Sequence, residues 1–199
     1  MVHDIRGLLL CGGAASRFGS DKLLAGDPPI VAQAAGNLLA GAGNALAVIP
    51  PGRPALRGAV ERLGCEVLES DRTALGMAAS LVAGVQATLR ADGWIVALGD
   101  MPRVRVGTIA AIADALRDGA TIALPVDASG RRGHPVGFAS ALREELLALT
   151  GDVGARSVLA RHGDAIRAIV TDDPGIFVDI DTPEDLERLG VRPRGASPG

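Results

Sequence analysis

Short apolar runs alternate with stretches of helical periodicity along the whole chain. Ile5 to Leu10 is almost continuously apolar and ends in glycines, as a strand buried on both faces of a parallel sheet reads. Residues 30–40 (IVAQAAGNLLA) follow helical spacing and stop at Gly41 and Gly43. Ala45 to Ile49 predicts a second strand, closed by Pro50-Pro51-Gly52, and 54–63 a helix. A short strand is expected over Glu66 to Leu68, an Ala-rich helix over 76–91, and a buried strand over Trp94 to Leu98 that runs into Gly99-Asp100-Met101-Pro102. Further on, 106–117 is helical and Thr121 to Leu124 extended. Residues 127–134 (DASGRRGH) form a polar loop, and Pro135 to Phe138 a short strand. Residues 140–149 and 154–162 are helical, Ile166 to Val170 and Ile176 to Ile180 are strands, and Thr182-Pro183-Glu184-Asp185 starts a closing helix.

Such alternation predicts a single-domain α/β fold, Rossmann-like, with a mostly parallel sheet, right-handed crossovers and helices on both faces. With no internal repeat and no linker, 1–191 is expected to be one domain, and 192–199 (PRGASPG and its preceding Arg) a disordered tail. In such sheets ligands sit beyond the carboxyl ends of the strands, so chemistry is sought just after each strand.

Composition narrows the function. Apolar residues are 48 % of the chain but aromatics only 2 %, which leaves no stacking surface for single-stranded nucleic acid. The net charge is −3 without a basic stripe, against nucleic acid as a partner. The substrate is expected to be small and held by a few cations. Two cysteines, Cys11 and Cys65, make neither a disulfide framework nor a zinc site, and Cys65 reads as a buried structural thiol. The opening MVHDIRGLLLCGG has too short an apolar run for a signal sequence, and no stretch is long enough to span a bilayer. The reading is cytoplasmic, with no membrane partner.

The turn after the first strand reads Leu10-Cys11-Gly12-Gly13-Ala14-Ala15-Ser16-Arg17-Phe18-Gly19-Ser20-Asp21-Lys22. Glycines let backbone N–H groups approach a phosphate, and Arg17 and Lys22 add mobile positive charge. It is neither a Walker loop nor a GxGxxG turn, which disfavours an NAD-dependent oxidoreductase. Asp100, after the most apolar strand, can hold a hard cation at the sheet edge, or cap the next helix. Asp179 and Asp181 alternate with Val178 and Ile180, so on a strand both would face one side and need a cation between them.

The run GGxxxRFGxxK resembles the signature of the nucleotidyltransferases of the molybdenum-cofactor type, and GDMP at 99–102, DxDTPEDL at 179–186, GHPV at 133–136 and GMAASL at 76–81 resemble further segments of that family in its order. The resemblance spans residues 5 to 189 and implies the nucleotide-diphospho-sugar transferase type of fold. It implies an NTP held by Leu10, Cys11, Gly12, Gly13, Ala14, Arg17, Lys22, Gly76 and Ser80, with Arg17, Lys22 and Asp100 catalytic. Mg²⁺ is implied on Asp100, on Asp181 as first choice and on Asp179 as second, and an acceptor at Gly133 and His134. Alone, Thr182, Pro183 and Glu184 are explained as a helix start, and Ser80 as a partner of its own helix backbone.

The implied reaction is transfer of CMP or GMP from CTP or GTP to a phosphorylated acceptor of molybdopterin type, with a molybdoenzyme or its chaperone as a protein partner. The later motifs resemble the cytidylyl branch and Cys11-Gly12-Gly13 leans toward the guanylyl branch, and Gly12, with no side chain, leaves room that a purine could fill. CTP is favoured. The alternatives are a sugar- or polyol-phosphate acceptor, and an accessory protein that binds nucleotide without turnover.

Overall fold

The computed structural model describes residues 4–12, 22–151, 154–188 and 190. Gly13, Ala14 and Arg17, and the expected tail, lie outside the described residues.

Seven strands form one sheet: β1 (Ile5–Leu10), β2 (Ala45–Ile49), β3 (Glu66–Glu69), β4 (Gly93–Leu98), β5 (Ile122–Val126), β6 (Val136–Ala139) and β7 (Ile166–Val170). Their order is β3-β2-β1-β4-β6-β5-β7, and β6 alone runs antiparallel to its neighbours. The helices are α1 (Ile30–Ala42), α2 (Pro54–Glu61), α3 (Met77–Ala87), α4 (Val106–Arg117), α5 (Arg143–Leu147), α6 (Arg156–Arg161) and α7 (Pro183–Arg188).

The near-continuous apolar strands follow from a core on each face of the sheet. Leu9 and Cys11 point into one core with Leu38 of α1, Val60 of α2 and Ile112 of α4. Leu8 and Leu10 point into the other with Leu81 of α3, Leu146 of α5 and Val158 of α6. Each buried Leu or Ile contributes about 2 kcal/mol of apolar transfer. Trp94 is fully buried and donates its indole N–H to Thr88 Oγ1 at 2.9 Å. Cys11 and Cys65 are both buried, and burial pushes the Cys65 thiol up.

The chain leaves β1 toward β2 and β3 on one side, whereas β4 lies on the other. The order therefore reverses between β1 and β4, and a crevice opens there beyond the carboxyl ends. Gly12 and Asp100 stand at its two lips.

One expected strand is absent. Residues Pro174–Phe177 form a 3-10 turn, and 178–181 are irregular. Asp173, 2 % exposed, fixes this segment: one oxygen accepts from the Arg105 backbone N–H at 2.8 Å and the Thr108 hydroxyl at 2.7 Å, the other from Gly175 N–H at 2.9 Å. A remote carboxylate thereby supplies the N-terminal cap that α4 lacks locally. The alternation of apolar and polar residues imitated a strand, but Pro174 and this grip turn the chain instead. Smaller differences lie at element ends: α3 is shorter than 76–91, α1 runs past Gly41, and β5 continues through Pro125 to Val126.

Candidate nucleotidyl-transfer site

At the crevice, the Lys22 ammonium lies between two carboxylates. It donates to Asp100 Oδ2 at 2.9 Å and to Asp181 Oδ1 at 2.8 Å. Burial alone would lower its pKa. The hydrogen bond it donates to Asp181, with the charge of Asp100, outweighs burial and holds it above the ordinary lysine value. Lys22 is therefore a permanent cation.

Three elements bring these groups together. Asp100 follows β4, and its backbone carbonyl accepts from Ile180 N–H at 3.0 Å. The 174–180 segment is also tied to the His134 loop, where Ile176 O accepts from His134 N–H at 2.9 Å. Beyond it, Asp185 reaches back to the N–H groups of Asp181 (3.0 Å) and Thr182 (2.9 Å). The Thr182 hydroxyl in turn accepts from Asp185 N–H at 3.3 Å, which makes a capping box at the start of α7. These backbone bonds hold the Asp185 carboxyl below the usual carboxylate range. Asp181 is thus fixed from both sides. Asp179 does not share this arrangement: the strand that would have aligned it with Asp181 is not formed, and its exposed carboxylate acts on the His134 ring.

Two carboxylates that share one ammonium are close enough to share a small hard cation. All-oxygen donors suit Mg²⁺ or Mn²⁺ and disfavour soft metals. No group of three or more acidic, His or Cys side chains converges among the described residues. Mg²⁺ does not need one, since it commonly uses one or two carboxylates with substrate phosphates. The residues fit such an ion.

On the β1 side, the first turn and α3 meet. A Cβ at Gly12 would lie 2.9 Å from Ser80 Oγ and 3.2 Å from Thr73 Cβ, so only glycine fits there. The space beside Gly12 is filled by protein, contrary to the expectation that it leaves room for a purine. Ser80 is buried and its hydroxyl donates to Gly76 O at 3.1 Å, the local backbone role. Gly76 has φ 105°, a conformation that favours glycine, and turns the chain into α3. The Cys11 N–H is already taken by Val48 O at 3.0 Å, and the Leu10 carbonyl accepts from Gly99 N–H at 2.9 Å.

Between α3 and α6 a cavity of about 350 Å³ opens over β1, β4, β5 and β6, within the range of small-ligand pockets. Its wall is apolar, with Leu10, Leu81, Leu98, Leu124 and Phe138 among the lining, and His134, Arg132 and Arg156 supply its polar groups. Burial lowers the His134 pKa, Asp100 raises it, Arg156 lowers it and Asp179 raises it, for a net fall. The ring is therefore neutral at neutral pH. Gly133 packs so closely on Ile176, 2.7 Å from a would-be Cβ, that a side chain is excluded. Sequence reasoning singled out Lys22, Asp100, Asp181, Gly12, Ser80 and His134, and they surround one crevice. It missed Asp173, Asp185 and Arg156, whose partners are visible only in three dimensions; the Asp-Asp-Pro step at 172–174 was the available signal for the first.

Residues 7–166 match the family model described as MobA-like NTP transferase domain. The crystal structure of Rv0371c from Mycobacterium tuberculosis H37Rv is similar, with 28% identity and a TM-score of 0.80 over 95% of this chain and 98% of that one. Its complex with manganese is similar at 25% identity and a TM-score of 0.75, over 94% and 97% of the two chains. CMP:2-keto-3-deoxy-manno-octonic acid synthetase complexed with CTP shares the fold at 15% identity and a TM-score of 0.71, over 94% and 96%. No curated protein matches. No helix among the described residues is long and apolar enough to cross a membrane.

Proposed function

The chain belongs to the MobA-like NTP transferase domain family, and from that premise we propose that it transfers CMP, in preference to GMP, from an NTP to the phosphate of a molybdopterin-type acceptor, releasing pyrophosphate. The observation that carries this reading is the convergence of Lys22, Asp100 and Asp181 at the crevice where the strand order reverses.

Asp100 and Asp181 would hold a divalent ion, Mg²⁺ by preference; Rv0371c has been solved with manganese. Such an ion neutralises charge on phosphate oxygens and aligns the triphosphate. Lys22 is a cation at every physiological pH, suited to the charge that grows on the departing pyrophosphate. Arg17, outside the described residues, is assigned the same task. An acceptor phosphate is already ionised at neutral pH, so no general base is required. Neutral His134 offers a hydrogen bond to the acceptor without competing for its proton. The protein's part is position and charge, as phosphoryl transfer generally demands. A molybdoenzyme or its chaperone is the proposed recipient of the product.

The test is pyrophosphate release by the full chain with Mg²⁺, CTP or GTP, and molybdopterin. Release that requires all three components is expected. Nucleotide binding without any release would overturn turnover and favour an accessory role.

A further inference from the structure

The cavity lined by His134 has a charge arrangement that the reaction centre does not use. Arg132 and Arg156 both line it, from the loop before β6 and from the start of α6. Both are exposed, and neither is ion-paired with a described residue. Their neighbours behave otherwise. The Arg131 guanidinium is parked 4.1 Å over the Phe177 ring, and Arg161 is paired with Glu145 at 2.6 Å. Deeper in the same cavity, His134 Nδ1 is buried without a hydrogen-bond partner. A buried ring nitrogen without a partner is costly, and usually marks a place where a ligand or water completes the bond.

We propose that Arg132 and Arg156 form a two-guanidinium clamp that binds an anionic group of the acceptor, whose flat ring packs its face against the apolar wall of the cavity. This rests on the nucleotidyl-transfer reading for the word acceptor, but not for the clamp. Guanidinium groups bind phosphate oxygens in paired, planar geometry, and these two have no carboxylate partner among the described residues to give up when they do so. His134 lines the cavity with both arginines and its backbone N–H bonds to Ile176 O, on the segment that leads to Asp181, so an acceptor held by the clamp lies toward the reaction centre. The cavity also reaches the first turn: Leu10 of β1 and Met77 and Leu81 of α3 line it, beside the contact of Gly12 with Thr73 and Ser80. The wall selects as well. Leu81, Leu98, Leu124 and Phe138 offer apolar contact to the face of a ring, which a polyol chain lacks.

Phenyl phosphate is the probe, titrated calorimetrically into the full chain with and without Mg²⁺ and a non-transferable CTP or GTP analogue. Saturable binding at one site is expected in both conditions. Arg156→Gln and Arg132→Gln are each expected to weaken it at least tenfold, with Arg156→Lys recovering part, and to leave affinity for the analogue within twofold. Glycerol 1-phosphate, with equal charge and no ring, is expected to bind at least tenfold more weakly than phenyl phosphate. Unchanged phenyl phosphate affinity in both glutamine variants, or no saturable binding to the unmodified chain, would overturn the clamp. Equal affinity for the two phosphates would overturn the ring contact. Failure of either analogue to bind would count against nucleotidyl transfer alone, because the titration without nucleotide still reads the clamp.

Discussion

Lys22 is held by two carboxylates that lie 78 and 159 residues away in sequence. No periodicity or spacing could reveal that meeting, although each partner was recognisable from its own motif. The arrangement gives Lys22 two opposed effects. Its ammonium competes with any ion for Asp100 and Asp181, and it attracts the triphosphate that arrives with that ion. Lys22→Ala is therefore expected to tighten binding of Mn²⁺ alone, measured by the electron paramagnetic resonance of the free ion, by about tenfold. The same variant is expected to weaken CTP and GTP by similar factors, since a phosphate contact does not distinguish bases. Strong weakening of one nucleotide with the other untouched would show that Lys22 reads the base. Asp100 makes a separate claim. Removing its charge takes an ion-holding group from the reacting phosphate, so Asp100→Asn is expected to lower kcat by about two orders of magnitude or more, the scale of losing one electrostatic stabiliser. Near-normal kcat at saturating Mg²⁺ would remove Asp100 from the mechanism.

The irregular segment from Asp173 to Asp181 is the element that aims the site, and it is the one that sequence reasoning misread. Val178-Asp179-Ile180-Asp181 has the alternation of a half-buried strand. Buried strands such as β1 and β4 were readable because both faces are covered, so their apolar runs admit one explanation. Alternation over four residues admits two, and a long-range bond decided between them. Asp173 accepts three hydrogen bonds across Thr108, Arg105 and Gly175, and Gly175 packs directly on the Arg103 carbonyl. This anchor also caps α4, so fold and site share it. Asp173→Ala leaves buried donors without an acceptor, at an expected cost of about 2–3 kcal/mol. Thermal unfolding should register that loss. Mn²⁺ affinity should fall as well, because Asp181 is carried on the same segment, whereas Thr108→Val, which removes one of the three donors, should lower stability less. If Asp173→Ala unfolded early yet bound Mn²⁺ normally while folded, the segment would not be what positions Asp181.

Across the whole molecule, the sheet order reverses between β1 and β4, and the first turn meets α3 at that crevice, where the proposed nucleotide site lies. The later motifs resemble the cytidylyl branch and the first turn the guanylyl branch, so sequence alone set two segments against each other. Packing changes their weight. The missing side chain of Gly12 is used to admit Ser80 and Thr73, 2.9 and 3.2 Å from where a Cβ would stand, and not to enlarge the space for a purine. The first turn and α3 are thus one packed unit, and the feature that leaned toward guanine is explained without a base. Discrimination then depends on polar groups at the base edge, which reject the wrong base because they are left unpaired by it. CTP is expected to be preferred by at least tenfold in kcat/KM, about 1.4 kcal/mol in transition-state binding. Competition between CTP and GTP in one reaction, scored by the two nucleotidyl products, measures this ratio directly. Gly12→Ala supplies the control: a Cβ there pushes on Ser80, so it should lower kcat/KM for both nucleotides alike. A tenfold preference for GTP in the unmodified chain, or a selective loss of GTP use in Gly12→Ala, would mean that the base is read at Gly12 after all.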